Sequence, residues 1–536
     1  MSSSVVTHST TRTSPLWWAL LLLAGVATIA FLFAVSQRLF YPHELEWMEG
    51  ALADHASRIA DGLPLYCEPQ AEHVPFLYAP LLFWLGGFGM KLGIDGILAL
   101  RLVAVVFSIG SALLIGHWVR KETDKLVPGL VATGLFFAGY GWLAWWYDLA
   151  RNDSLFVFLC LATAYQLRHG GQRQWFWAGL LAAAALLAKQ STLMWLPAVG
   201  VGALCWNWRV AMRFGLVAVV AMAASIGLMH FFSDGWSTFY LFEMPQHHGW
   251  VGDRKLGYWT EDIVPMLPLV VLGFAGFAVT VRSNPKNAIY LAAFGCGGIV
   301  CSWLSRMHVG GFDNVMMYGF AGACVLGAIA ATHTSRSMRI AGPILLLLQI
   351  ASLGYAAWQR SPNTTLFPSA AHRKAHDELR AFVQTQAGPV WIPGHGHIAY
   401  RQGKGTGSHG QAIFDVLQML PPGQGGFDTS KLADPSQLHY LSERGQQTLR
   451  ALMANVDTAL GERRFSTIIA DKFGPGDGVD AWTGLFLASL VRNDGVLGTP
   501  DDPYVIDHKP LLSEPLAIKP LLGYEVRSPQ AWLRRD

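Results

Sequence analysis

A chain of 536 residues that is 52% hydrophobic and only 14% charged, with a mean hydropathy of +0.32, is too apolar and too poor in charge for an ordinary soluble enzyme. Its formal charge of +3 gives no reason to expect a nucleic-acid partner, so the informative quantity is where each sign sits along the chain. Cys67 is alone in a loop and the other cysteines fall inside apolar segments, so no disulfide framework is implied.

The N-terminal MSSSVVTHSTTRTS leads into an apolar run from Leu16 to Val35 that is longer than a signal-peptide core and has no small-x-small cleavage site, which predicts an uncleaved membrane helix. Runs long enough to span a bilayer follow near 97–118, 127–146, 154–168, 175–190, 191–207, 210–232, 262–281, 287–304, 313–332 and 339–358. Together they predict an α-helical polytopic membrane protein of about eleven transmembrane helices. The basic residues of the short connections, Arg120, Lys121 and Lys125, Arg168 and Arg173, Arg209 and Arg213, Arg282 and Lys286, and Arg336 and Arg339, all fall on one face. Taken as the cytoplasmic face, it puts the N-terminus inside and everything after Arg360 outside, periplasmic or extracellular.

The opposite face receives the loop 37–96, rich in Glu and Asp, within which Leu81 to Leu92 is too short to span and reads as a surface or re-entrant helix. The segment HELEWMEG opens this loop. Continued as a helix it puts Leu45, Met48, Leu52, Ala56 and Ile59 on one stripe and Glu46, Gly50, Asp54, Ser57 and Asp61 elsewhere, the pattern of a helix lying on a membrane surface. Residues 361–536 change to charged, Gly- and Pro-rich sequence and predict a soluble α/β domain, with helices at 371–386, 409–420, 438–459 and 481–492 and strands in PVWIP and FSTIIAD.

Three polar clusters share the outer face. Glu44, Glu46 and Glu49 form the first; YDLARND, with Asp148, Arg151 and Asp153, forms the second. The third is spread over His247, His248, Arg254 and Lys255, over Arg306, His308 and Asp313, and over Lys189 at the end of LLAAAALLAKQ. Each has a plain alternative. Carboxylates at helix ends are commonly just solvated. Lys189 suits a snorkelling anchor, Arg151 and Asp153 can satisfy each other, and the tryptophans of GWLAWWYD suit an interfacial belt. His395 and His397, in a glycine-rich stretch of the tail, suit a structural loop as well as a metal. What favours a site is that separate loops deliver acids and bases to one surface.

The order of these motifs resembles a known class. The early acidic motif, a helix ending in GLPLY, then YAP, then LRL at Leu100 to Leu102, ARND after the second outer turn, and AKQS after a small-residue span are similar to the GT-C integral-membrane glycosyltransferases, over the first 360 residues or so. The AKQS lysine places the likeness in the protein O-mannosyltransferase and aminoarabinose-transferase branch. The resemblance implies an inverting transfer from a polyprenyl-phosphate-linked sugar to an acceptor of unknown identity on the outer face. A carboxylate would take the acceptor proton, with Glu46 first, Glu44 and Glu49 next and Asp153 sharing or orienting. The leaving lipid phosphate would meet fixed cations, Lys189, Arg306 and His308 first, with His247, His248, Arg254 and Lys255 as loop candidates and Arg151 also binding substrate. No cofactor is implied, although the paired acids carry oxygen ligands of the kind Mn²⁺ or Mg²⁺ takes. The rival class is a transporter or flippase of a lipid-linked or amphipathic substrate, which calls for ionisable groups at mid-membrane and related halves.

Overall fold

The structure is a computed structural model that describes residues 14–333, 335–360, 366–423, 426–427, 435–471, 504–507, 511–512 and 529–534. Each predicted span overlaps a helix, although 127–146 does so only up to Ala138. The helices are α1 (Pro15–Arg38), α4 (Gly96–Thr123), α5 (Leu126–Ala138), α6 (Asp153–His169), α7 (Gln174–Ala188), α8 (Thr192–Phe232), α9 (Leu267–Thr280), α10 (Pro285–Met307), α11 (Met316–Ala331) and α12 (Arg336–Arg360). The runs 191–207 and 210–232 form two helices, written together as α8, that meet at a kink where Asn207 leaves helical geometry (φ −156°, ψ 97°). Among the described residues seven helices are long and apolar enough to cross a membrane, and α5 and α7 are shorter apolar helices. The chain is a multi-pass membrane protein.

Neighbouring helices pack α1 on α5, α5 on α4, α4 on α6, and onward through α7, α8, α10 and α11. Between helices in lipid no hydrophobic driving force operates, so small residues that let backbones approach supply the contact. A Cβ placed on Gly134 of α5 would lie 2.4 Å from Ala24 of α1. α11 is almost wholly buried, which makes it the centre of the bundle.

Two helices lie between α1 and α4. α2 (Glu49–Ala60) and α3 (Leu81–Lys91) pack against each other and against α4, and α3 matches the short helix predicted there. α2 is not a half-exposed surface helix. Ala51, Leu52, Ala53, His55, Ala56 and Ser57 are all buried, because the chain after Arg360 packs onto the face that the periodicity assigned to solvent.

In that tail α13 (Ala370–Thr385), α14 (Gly410–Leu417) and α15 (Glu443–Gly461) fall where helices were predicted; the helix predicted at 481–492 lies outside the described residues. The strands of the larger sheet are β1 (Val390–Trp391), β2 (Thr467–Asp471), β3 (Tyr504–Asp507) and β4 (Pro529–Arg534), in the order β1-β2-β4-β3. β1 runs parallel to β2, with Val390 opposite Thr467, and both other pairings are antiparallel. PVWIP and FSTIIAD therefore do contribute adjacent strands.

Candidate active site

The first acidic cluster stands on a turn, and α2 begins only at Glu49. Its three carboxylates diverge. Glu49 Oε1 accepts from Arg101 Nε at 2.9 Å and from the Ala150 amide at 2.8 Å; Oε2 accepts from Arg101 Nη2 at 2.5 Å and from the Leu45 amide at 2.6 Å. Burial alone would raise this carboxyl, but Arg101 and the backbone donors hold it below its ordinary value. Arg101 also donates to the carbonyls of Arg38, Tyr41 and His43. Glu49 is thus committed to fixing the loop. Glu44 faces the tail, accepting from the Gly50 amide at 3.0 Å and lying 2.9 Å from His395 Nδ1. Burial, and then the charge of Glu49, push it well above its ordinary value.

Glu46 is the acid tied to the cavity. It accepts from the Met48 amide at 3.2 Å and from Arg151 Nη1 at 3.4 Å. Burial outweighs Arg151 and pushes its carboxyl up to about 7. Arg151 also donates to the Tyr78 hydroxyl at 3.3 Å and lies over the Trp146 ring at 5.0 Å. Arg151 and Asp153 do not satisfy each other as one sequence reading allowed. Asp153 Oδ1 instead takes Lys189 Nζ at 2.5 Å and Asn314 Nδ2 at 3.0 Å, and Oδ2 is buried with no hydrogen-bond partner among the described residues. Lys189 reaches this point because AKQS breaks the helix there: its backbone is extended (φ −160°, ψ 132°) between α7 and α8. Trp142, Trp145 and Trp146 are buried, not a belt at the interface, since α5 ends at Ala138 and the following segment folds back under Arg151.

A cavity of about 500 Å³ opens beside these groups, within the roughly 300–1,000 Å³ usual for small-molecule sites. Arg151, Lys189, His248, His308 and Asn314 line one part of it, and Gln411 and Asp415 of α14 line another. Glu46 itself stands one residue back, behind Arg151. His248 Nε2 lies 3.0 Å from the Asp415 carbonyl, and burial pulls its imidazole down to about 4. Two expected phosphate ligands are not in the cavity wall. Arg306 turns to Asp262, at 2.7 and 3.0 Å, and to the Gly311 carbonyl, where it ties down the loop after α10. His247 sits outside the wall, its ring 6.4 Å from that of Tyr440.

The residues do not fit a metal centre. Among the described residues no three His, Cys, Asp or Glu side chains gather to hold an ion, and Glu46 has a guanidinium where a cation would sit. His395 and His397 are tied to Glu44 and to Asp54. Sequence reasoning missed Arg101 as the partner of Glu49, although Arg101 lies in the LRL motif, and missed Asn314, Gln411 and Asp415, which no local pattern singles out.

No protein-family model matches the chain, and no curated protein matches it in sequence. In structure it aligns with ArnT from Cupriavidus metallidurans bound to undecaprenyl phosphate over 97% of this chain and 98% of that one, with a TM-score of 0.56 at 11% identity. The fold is GT-C. The apo form of ArnT aligns over the same shares with a TM-score of 0.55. The archaeal oligosaccharyltransferase AglB from Archaeoglobus fulgidus, in complex with an inhibitory peptide and a dolichol-phosphate, aligns over 85% of this chain and 70% of that one, with a TM-score of 0.49 at 13% identity. The GT-C likeness to ArnT runs past residue 360 and takes in the tail, which the sequence motifs did not reach.

Proposed function

We propose that this chain is an inverting glycosyltransferase that moves a sugar from a polyprenyl-phosphate-linked donor to an acceptor on the outer face of a bacterial cytoplasmic membrane. The observation that carries the reading is the cavity that brings Lys189, Arg151 and His308 together beside Glu46 in a chain folded like ArnT, a protein that binds undecaprenyl phosphate. Residues 1–360 would form the membrane domain, with the N-terminus cytoplasmic, and 361–536 an outer domain that closes the cavity.

Each role follows from the chemistry. A bond forms between the acceptor oxygen and the sugar's anomeric carbon on one face while the bond to the phosphate oxygen breaks on the other. The acceptor proton goes to a base. Glu46 suits this, since a carboxyl titrating near 7 is half ionised where it works and a better base than an exposed one. Its present partner Arg151 would have to swing toward the substrate to free it. The polyprenyl phosphate leaves with the electron pair, and fixed cations already aimed at its oxygens stabilise that charge without reorganising. Lys189 and Arg151 are the cations in the wall, and the His308 ring stands beside them. Asp153 orients Lys189 from behind.

The test is the thermal unfolding midpoint of the purified protein with and without undecaprenyl phosphate, for wild type, Lys189→Ala and His308→Ala. A ligand that binds only the folded form raises the midpoint by mass action. The expected result is a rise in wild type that is reduced in both variants. No rise in wild type, at lipid levels that stabilise ArnT, would defeat the reading and favour a transporter.

A further inference from the structure

The cavity has two walls of different chemistry. The membrane-helix side carries the cations Arg151 and Lys189 together with His248 and His308. The side contributed by the tail carries Gln411 and Asp415, both on α14. Asp415 is buried, and its Oδ1 accepts from Gln411 Nε2 at 2.6 Å and from Gln418 Nε2 at 3.4 Å. Among the described residues no Lys, Arg or His side chain pairs with its carboxylate, although cations stand across the same cavity. Ionising this buried group without a countercharge is costly, and its place in the cavity wall lets it meet a ligand there. Its helix is fixed in place. The Asp415 carbonyl is engaged by His248, the Tyr440 hydroxyl donates to the Met419 carbonyl, and the Gly410 amide donates to the Pro393 carbonyl.

We propose that Asp415 and Gln411 form the sugar-recognising wall of the site, hydrogen-bonding the hydroxyl groups of an uncharged sugar while the cations opposite hold the lipid phosphate. This deepens the glycosyltransferase reading and rests on it. An acid and an amide side by side offer donors and acceptors in fixed directions, which is what hydroxyl recognition requires and what phosphate recognition does not. Burial pushes the Asp415 carboxyl up to about 8, so at neutral pH it keeps its proton and donates as well as accepts. The site is incomplete without the tail, which explains why α14 is held against the loop after α8.

The experiment compares binding of bare undecaprenyl phosphate with binding of undecaprenyl phosphates carrying glucose, galactose, mannose or a neutral pentose, using the full chain in nanodiscs. Wild type should bind at least one sugar-bearing lipid about tenfold more tightly than the bare lipid, the worth of one or two buried hydrogen bonds. Asp415→Ala and Gln411→Ala should lose that preference and keep the affinity for bare undecaprenyl phosphate, which also reports that they are folded. Asp415→Asn has the same shape with a donor and an acceptor and should keep the preference. If Asp415→Asn loses as much as Asp415→Ala, the carboxylate charge matters, as for an amino sugar or a catalytic base, and the proposal is overturned. It is also overturned if wild type prefers no sugar-bearing lipid, or if the variants weaken bare-lipid binding equally. Wild type binding neither form would defeat the glycosyltransferase reading and this one with it.

Discussion

Arg101 and Glu49 are both fully buried, so removing either leaves a charge with neither water nor partner. Arg101→Met should therefore cost about 3–5 kcal/mol, visible as a lower unfolding midpoint or loss of monodisperse protein. Lysine should not rescue it, because the guanidinium fork reaches Glu49 and three carbonyls at once. Glu46 gives the opposite kind of prediction. Its carboxyl titrates near 7 and must be ionised to take a proton, so turnover should rise with pH through about 7 on its acid limb. Glu46→Gln should reduce turnover by about 10²–10⁴-fold with little change in undecaprenyl phosphate binding. A pH profile that is flat between 6 and 8, or equal activity in the glutamine variant, would move the base to another acid.

At the scale of elements, the contact to test is between α2 and the tail. A Cβ on Gly50 would lie 2.1 Å from Glu44 Oε1 and 2.2 Å from the Gly396 carbonyl, so the two backbones touch where no side chain fits. Gly50→Ala should cost about 1–3 kcal/mol by overpacking and should loosen the tail, seen as faster hydrogen exchange in α13 and α14 with the bundle unchanged. This contact also marks what the sequence could and could not say. The membrane helices were legible because each must satisfy its own backbone in lipid and so reads as a long apolar run. The α3 helix and the β1 and β2 strands were legible from length and alternation. α2 was misread because its polar stripe, Asp54 included, faces His397 of the tail and not water, and periodicity cannot tell those two apart. Glu46, Arg151, Lys189 and His308 were singled out because separate loops deliver acids and bases to one surface. Asp415 sits in an ordinary amphipathic helix and gains its place only through α14 being carried to the cavity.

The whole molecule is held at the junction of loop and tail by neutral histidines, and the sign of its acid response can be worked out. His43 stacks on His376 with ring centres 4.7 Å apart and lies 3.2 Å from Asp377, with Arg401 and Arg380 nearby; His409 lies beside Trp47, His395 and His55. Burial pulls His43 down to about 4, His55 and His409 to about 3, and His73 and His376 well below their ordinary value. Above pH 6.5 these groups are neutral in both states. As pH falls below it the unfolded chain takes up protons that the folded chain refuses, and stability drops. Glu44, Glu46 and Asp415 act in the other direction, because the fold keeps their protons where the unfolded chain has released them. Their contribution is complete below their ordinary values near 4 and is lost as pH rises toward 7 and 8. The two sets oppose each other between about pH 4.5 and 6.5, where the histidines are more numerous, and only the acids act above it. Stability should therefore peak at about pH 6 to 7 and fall on both sides, more steeply toward acid. The acid loss should begin at the junction, so at pH 5 protease should cut the tail before the bundle opens. His376→Phe, which keeps a flat ring beside His43 and removes a protonation site, should shift that acid limb to lower pH. An unfolding midpoint that rises steadily from pH 7 to pH 4 would mean that the carboxyls, not the histidines, govern how the tail is held.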